Sequence, residues 1–147
     1  MSTAQQRWEA AYRNAEYWVR PDSAGSRWVL RVGASDPAAD RALQLCGVRS
    51  HWALVTACNP RSEAAAAADN AGHARALLAE IESQNLRWLP AVNRDPARRW
   101  PDEPGVLLID PPAGLAERLG RQFRQNAILA GTLGGAPALI WLEPAMH

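Results

Sequence analysis

The stretch His51–Asn70, HWALVTACNPRSEAAAAADN, decides the fold. His51 to Ala57 is a nearly unbroken apolar run that carries β-branched Val55 and Thr56 and halts at Asn59-Pro60. A run this short, rich in β-formers and closed by a proline, reads as a strand buried on both faces. Asn59 precedes the proline, so right-handed helical geometry is disfavoured there and the chain must stay extended or turn. Pro60 lacks the N–H that a sheet ladder needs and ends the strand. Ser62 is placed to cap a following helix through a free backbone N–H, and alanines 64 to 68 lose little side-chain entropy in one. Ala74, Leu77, Leu78 and Ile81 then recur at helical spacing as a core-facing stripe. Four residues back along that stripe stands Asn70, a polar amide on an apolar face. Left without partners in a buried place, it costs roughly 1–3 kcal/mol. It therefore either ties down the neighbouring loop or faces a cavity and a ligand.

Outward from this centre, helical and strand patterns alternate. Residues 3–14 make a helix, capped by Ser2 or Thr3, with Trp8, Ala11, Tyr12 and Ala15 on one face. Residues 16–20 and 27–32 read as two strands of a hairpin around the polar loop 21–26. Ser35 or Asp36 caps a short helix with Pro37 in its first turn. Ala39, Leu43 and Cys46 share one side of it, and Gly47 ends it. Residues 86–92 suggest a strand that Pro90 places at a sheet edge. Residues 93–104, NRDPARRWPDEP, read as a long loop before a second buried strand at 105–109. A helix from about 112 to 122 turns Leu115, Leu119 and Phe123 inward. Strands at 126–130 and 138–142 flank the glycine-rich turn GTLGGAP. The order α-β-β-α-β-α-β-β-α-β-β implies a single α+β domain over residues 1–147: one mixed, mostly antiparallel sheet of about six or seven strands, covered by three or four helices. Several connections are too short for the crossovers of a purely parallel sheet.

Composition bounds the function. A chain of 147 residues with net charge +1 is long enough for a real core and has no strong field for a polyanion. Every one of its 16 basic residues is an arginine, a residue suited to carboxylate and phosphate partners, but the 15 acids nearly balance them. No stretch has the length of a membrane span, and MSTAQQRWEA lacks the apolar core of a signal peptide, so a cytoplasmic protein with no membrane partner is expected. Cys46 and Cys58 have no metal or pairing spacing and are expected as free thiols. The seven tryptophans are scattered, which suits core and edge positions better than one stacking platform.

No phosphate-binding loop, dinucleotide fingerprint or nucleophile elbow occurs. His51, His73 and His147 have no spacing that binds metal, and no metal or cofactor is expected. Cys58, at the strand exit, has no evident histidine or lysine partner and reads as a small packed residue. Glu103 is the candidate acid or base. It precedes a buried strand, where desolvation raises a carboxyl pKa toward the working range of acid–base chemistry, unless Arg98 or Arg99 neutralises it. Gln125 and Asn126 open another strand at a comparable position.

Tyr12-Arg13, Tyr17, Gly33, Thr56-Ala57-Cys58-Asn59-Pro60, Asn70, Trp100-Pro101 with Glu103, and Gln125-Asn126-Ala127 together resemble the pattern of the Domain of Unknown Function 3293 family, short bacterial proteins. The resemblance implies no activity. Similar proteins carry an aromatic residue where this chain has Cys58, Thr where it has Ala15, Ser where it has Gly105, and glycine near Asn93. The marked positions are largely polar, which favours a shared pocket or a shared polar network over packing alone.

The expected site is a polar pocket at the strand exits for a small polar or anionic ligand. Asn59, Asn70, Gln125 and Asn126 would bind, Arg13 would hold an anionic group, and Glu103 would serve as a catalytic group for hydrolysis. The alternative is a non-catalytic protein-interaction module, its polar set structural and its exposed tryptophans an interface. Nucleic-acid binding is less favoured, and a homo-oligomer is left open.

Overall fold

The computed structural model describes residues 3–20 and 27–142. The elements follow in chain order: α1 (Thr3–Asn14), β1 (Glu16–Val19), β2 (Trp28–Leu30), α2 (Pro37–Leu45), β3 (His51–Thr56), a 3-10 turn (Pro60–Ser62), α3 (Ala67–Ser83), β4 (Trp88–Arg94), β5 (Glu103–Ile109), α4 (Leu115–Gln122), β6 (Ala127–Thr132) and β7 (Ala138–Trp141). The strands form one sheet in the order β2-β1-β4-β5-β3-β6-β7. The expected α+β class, strand number and helix number all hold, and every neighbouring pair is antiparallel. The hairpin loop 21–26, Ser2 and His147 lie outside the described residues.

β3 is central, as its unbroken apolar run requires: it pairs with β5 on one side and β6 on the other. Alternation along the strands divides the core into two layers. On one face Leu54, Leu107, Leu129 and Val19 pack beneath Ala39 and Leu43 of α2. On the other, Val55, Val106, Leu108 and Ile128 meet Leu77 and Ile81 of α3 and Leu115 and Leu119 of α4. Of the stripe read in α3, Leu77 and Ile81 are core, with Ile81 completely buried, while Ala74 and Leu78 are half-buried. Asp36 caps α2, its Oδ1 accepting from the N–H of Ala38 at 2.9 Å. α1 differs from the other helices in burying no residue fully.

Three local expectations are corrected. Pro90 is not at an edge, because β4 lies between β1 and β5. In an antiparallel ladder the N and O of one residue point to the same neighbour. The carbonyl of Pro90 accepts from Arg20 at 2.9 Å, just past the last residue of β1, so the missing donor falls where that ladder ends. Residues 93–104 are not all loop: β4 runs on to Arg94 and β5 begins at Glu103, which shortens the connection to 95–102. Ser62 does not cap a helix. It sits in the 3-10 turn, and α3 starts at Ala67 with no side-chain cap.

Candidate functional site

The sheet face that α2 covers at one end is roofed at the other by α1, and between roof and sheet lies a partly open cavity of about 490 Å³. Its position follows from register. Tyr17 on β1 is opposite Asn93 on β4, and Asn93 is opposite Glu103 on β5. This one rung puts a phenol, an amide and a carboxyl side by side on the cavity floor. Leu54, Leu129 and Leu139 supply apolar wall, and Trp8, Tyr12 and Trp100 aromatic wall.

The loop after β3 supplies the next polar groups. Asn59, Arg61 and Ser62 all have positive φ, at 47, 58 and 62°. Left-handed backbone costs a non-glycine residue roughly 1–2 kcal/mol, so the surroundings must hold this loop. They do so through Asn70. Its Oδ1 accepts from the Asn59 N–H at 2.8 Å, and its Nδ2 donates to Asn59 Oδ1 at 2.8 Å. Asn59 Oδ1 also accepts from the Ala65 N–H at 3.0 Å. So fixed, Asn59 turns its Nδ2 to Glu103 and donates to Oε2 at 2.6 Å. Of the two readings open for Asn70, the loop tie describes its contacts. It does not line the cavity.

Glu103 meets no arginine among the described residues. Arg98 pairs with Asp102 at 2.7 Å and Arg99 with Asp95 at 3.1 Å. Burial pushes the Glu103 carboxyl above its ordinary value, and the Asn59 bond opposes that only in part. Among the described residues its Oε1 has no donor, Asn59 being bonded to Oε2. Burial likewise lifts the phenols of Tyr12 and Tyr17, and the charge of Glu103 adds to both effects.

Gln125 and Asn126, both 5 % exposed, act on the cavity differently. Gln125 lines it, while its Nε2 donates to the carbonyls of Cys58 at 3.1 Å and Phe123 at 3.2 Å. Asn126 stands behind the wall. Its Nδ2 donates to Ser62 Oγ at 2.8 Å, and Ser62 in turn pairs with the hydroxyl of Tyr12. Tyr12 also stacks on Trp141, with ring centroids 5.2 Å apart, and its carbonyl accepts from the Tyr17 hydroxyl at 2.8 Å. Tyr12 thus ties α1 to the loop after β3, to β7 and to β1.

Arg13 is exposed and not on the lining. The arginines there are Arg7 and Arg94, and Arg94 is held by Asp102 at 3.1 Å. Cys58 is buried, with its thiol pushed up by desolvation, and is no ready nucleophile. Among the described residues no cluster of His, Cys, Asp or Glu is arranged to hold a metal ion, and no helix is long and apolar enough to cross a membrane.

Sequence reasoning missed Asn93, Arg7 and the cavity role of Ser62. Asn93 had a usable signal. Leu89, Ala91 and Asn93 share one strand face, so its amide interrupts an apolar row as Asn70 does, but the proline- and charge-rich run that it opens reads as a loop.

Gly105 shows how closely the centre of the sheet is packed. A Cβ there would come within 2.7 Å of the Val55 carbonyl, so at this position the chain leaves no room for a side chain without a shift of β3. No curated protein and no solved structure matches the chain. The family model described as "Protein of unknown function (DUF3293)" matches residues 55–128, half of the chain, from the end of β3 into β6 and including Asn59, Asn70, Asn93, Glu103, Gln125 and Asn126. The chain belongs to that family.

Proposed function

We propose that this protein binds a small polar or anionic organic molecule in the cavity beneath α1, with Glu103, Asn59 and Gln125 as polar contacts and Arg7 as the cation for a negatively charged substituent. One observation carries this reading: apolar and aromatic walls converge on a half-buried carboxyl that no cation among the described residues neutralises. Pockets for small molecules have this character, a mostly apolar volume of roughly 300–1,000 Å³ with a few placed polar groups. Asn70 and Asn126 act from behind, holding the loop that presents Asn59 and Ser62. The free thiols of Cys46 and Cys58 suit a reducing compartment, and the cytoplasm is the proposed setting.

In the same reading Glu103 is the acid–base group of a hydrolysis. As carboxylate it takes a proton from an attacking water, and as acid it returns that proton to the leaving group. Burial raises the Glu103 pKa, which moves the carboxyl toward the range where both forms take part in proton transfer. The interaction-module reading has less support. It needs exposed tryptophans, and every described tryptophan is buried or half-buried.

A thermal-shift screen of small metabolites against wild type and Ala11→Phe tests the binding. Ala11 faces the cavity from α1, and the larger side chain fills it. A ligand present at about 100 times its Kd stabilises by roughly 2.7 kcal/mol, which raises the melting temperature of a domain this size by about 5 °C or more. The expected result is a set of compounds that do so for wild type and not for Ala11→Phe. Compounds that stabilise both proteins equally would place the binding elsewhere.

A further inference from the structure

Among the described residues three buried side-chain polar atoms lack a partner, on Trp28, His73 and Asn93, and of these residues only Asn93 lines the cavity. It lies on an interior strand, its Oδ1 is buried, and neither Oδ1 nor Nδ2 has a hydrogen-bonding partner among the described residues. Native structures rarely bury an amide this way without a reason. Directly opposite on β5 is Glu103, whose Oε2 is engaged by Asn59 and whose Oε1 is not. Side chains so placed on neighbouring antiparallel strands are adjacent. The cavity lining therefore sets an amide whose buried acceptor has no partner among the described residues beside a carboxyl oxygen that accepts when ionised and donates when protonated.

We infer that the molecule bound in the cavity carries a planar nitrogen heterocycle of the nucleobase type, its hydrogen-bonding edge read by the Asn93 amide and Glu103 Oε1 and its faces lying against the aromatic wall. The inference rests on the cavity being a binding site, as proposed above. A primary amide matches a flat edge that presents a donor and an acceptor side by side, the geometry by which asparagine reads adenine. A carboxyl group next to it extends the match to a further ring or exocyclic nitrogen. Trp8, Tyr12, Tyr17 and Trp100 supply rings against which a base stacks and an aliphatic ligand gains little. Arg7 completes the set. Its guanidinium lies 4.9 Å from the Trp8 ring centroid and has no ion pair among the described residues, so a phosphate on the same molecule has a cation at the cavity wall.

The same heterocycle reaches the cavity from two sources, a free nucleoside or nucleotide and an unpaired base of a single strand. Isothermal titration of the full chain with adenosine, guanosine, cytidine and uridine, with their 5′-monophosphates, and with a short mixed-sequence single-stranded oligonucleotide separates them. The expected result is that at least one nucleoside or monophosphate binds with Kd below about 1 mM. Asn93→Leu weakens that binding at least about tenfold without lowering the melting temperature, because the amide has no structural partner to lose. Tighter binding of the oligonucleotide than of any monophosphate assigns the base to a strand. Failure of every nucleoside, monophosphate and oligonucleotide to bind overturns the inference, and so does equal binding by Asn93→Leu. Should the metabolite screen yield compounds that Ala11→Phe excludes while all nucleobase compounds fail, the heterocycle is wrong and the cavity reading stands. Should the screen also yield none, both fall.

Discussion

β5 has a carboxyl group at each end, and the two are built for opposite purposes. Asp110, just past the strand, is saturated. Its oxygens accept from the backbone N–H groups of Arg49 at 2.9 Å, Ser50 at 2.9 Å and His51 at 3.0 Å, and from Arg87 at 3.3 Å. Desolvation alone would raise its pKa, but the three backbone donors, with the His51 ring beside them, prevail and hold it below the usual carboxylate range. Glu103, at the first position of the strand, has one amide donor and no cation among the described residues, and burial keeps its pKa above the ordinary value. A carboxylate that fastens a loop is surrounded by donors. One that keeps an oxygen free on a cavity floor is held there against its own solvation, and stability given up in this way commonly marks a functional site.

The contrast breaks most visibly at Asp110. Asp110→Ala strips acceptors from three backbone N–H groups, and a loss of about 2–3 kcal/mol, or roughly 5–10 °C in melting temperature, is expected at pH 7. The sign with pH is fixed by the lowered pKa: the contribution is present above the unfolded-state value and is lost as pH falls through the folded one. Melting curves of wild type and Asp110→Ala should therefore converge in acid. A pH-independent gap would mean that the carboxylate charge has no part in the clamp.

Asn70 sharpens the comparison, because it acts on Glu103 through Asn59. Asn70→Leu places an apolar residue on an apolar stripe but removes the tie on a loop with left-handed backbone. Melting should fall by about 2–8 °C, the equivalent of roughly 1–2 kcal/mol. Differential scanning calorimetry checks this, and an unchanged or higher melting temperature would return Asn70 to the list of ligand residues.

Much of this was legible in the sequence because the relevant signals are local. The apolar run of β3, the proline that ends it, the stripe of α3 and the Asp36 cap are all set by neighbours a few residues apart. The misreadings concern pairing. Pro90 forbids a ladder bond only on one side, and whether that side faces a strand depends on where β1 ends. The site divided in the same way. Glu103, Asn59 and Gln125 stand at strand ends, which the sequence marks, whereas the alternation of Leu89, Ala91 and Asn93 marks only a face, and the register is what sets Asn93 between Tyr17 and Glu103. Arg13 and Arg7 lie on one helix six residues apart, about 120° around its axis; both are exposed, but only Arg7 reaches the cavity lining.

The most direct test of the contrast is the melting temperature of Glu103→Gln against wild type from pH 4 to pH 8. Glutamine keeps an oxygen for the Asn59 amide and carries no charge. Because burial raises the Glu103 pKa, the folded protein holds this proton more tightly than the unfolded chain. Wild-type stability therefore falls as pH rises from the ordinary glutamate value through the folded one. The account predicts that Glu103→Gln melts above wild type at pH 7–8 and that the gap closes toward pH 4. If Glu103→Gln instead melts below wild type at neutral pH, Glu103 is a structural anchor like Asp110, and the contrast between the two ends of β5 is lost.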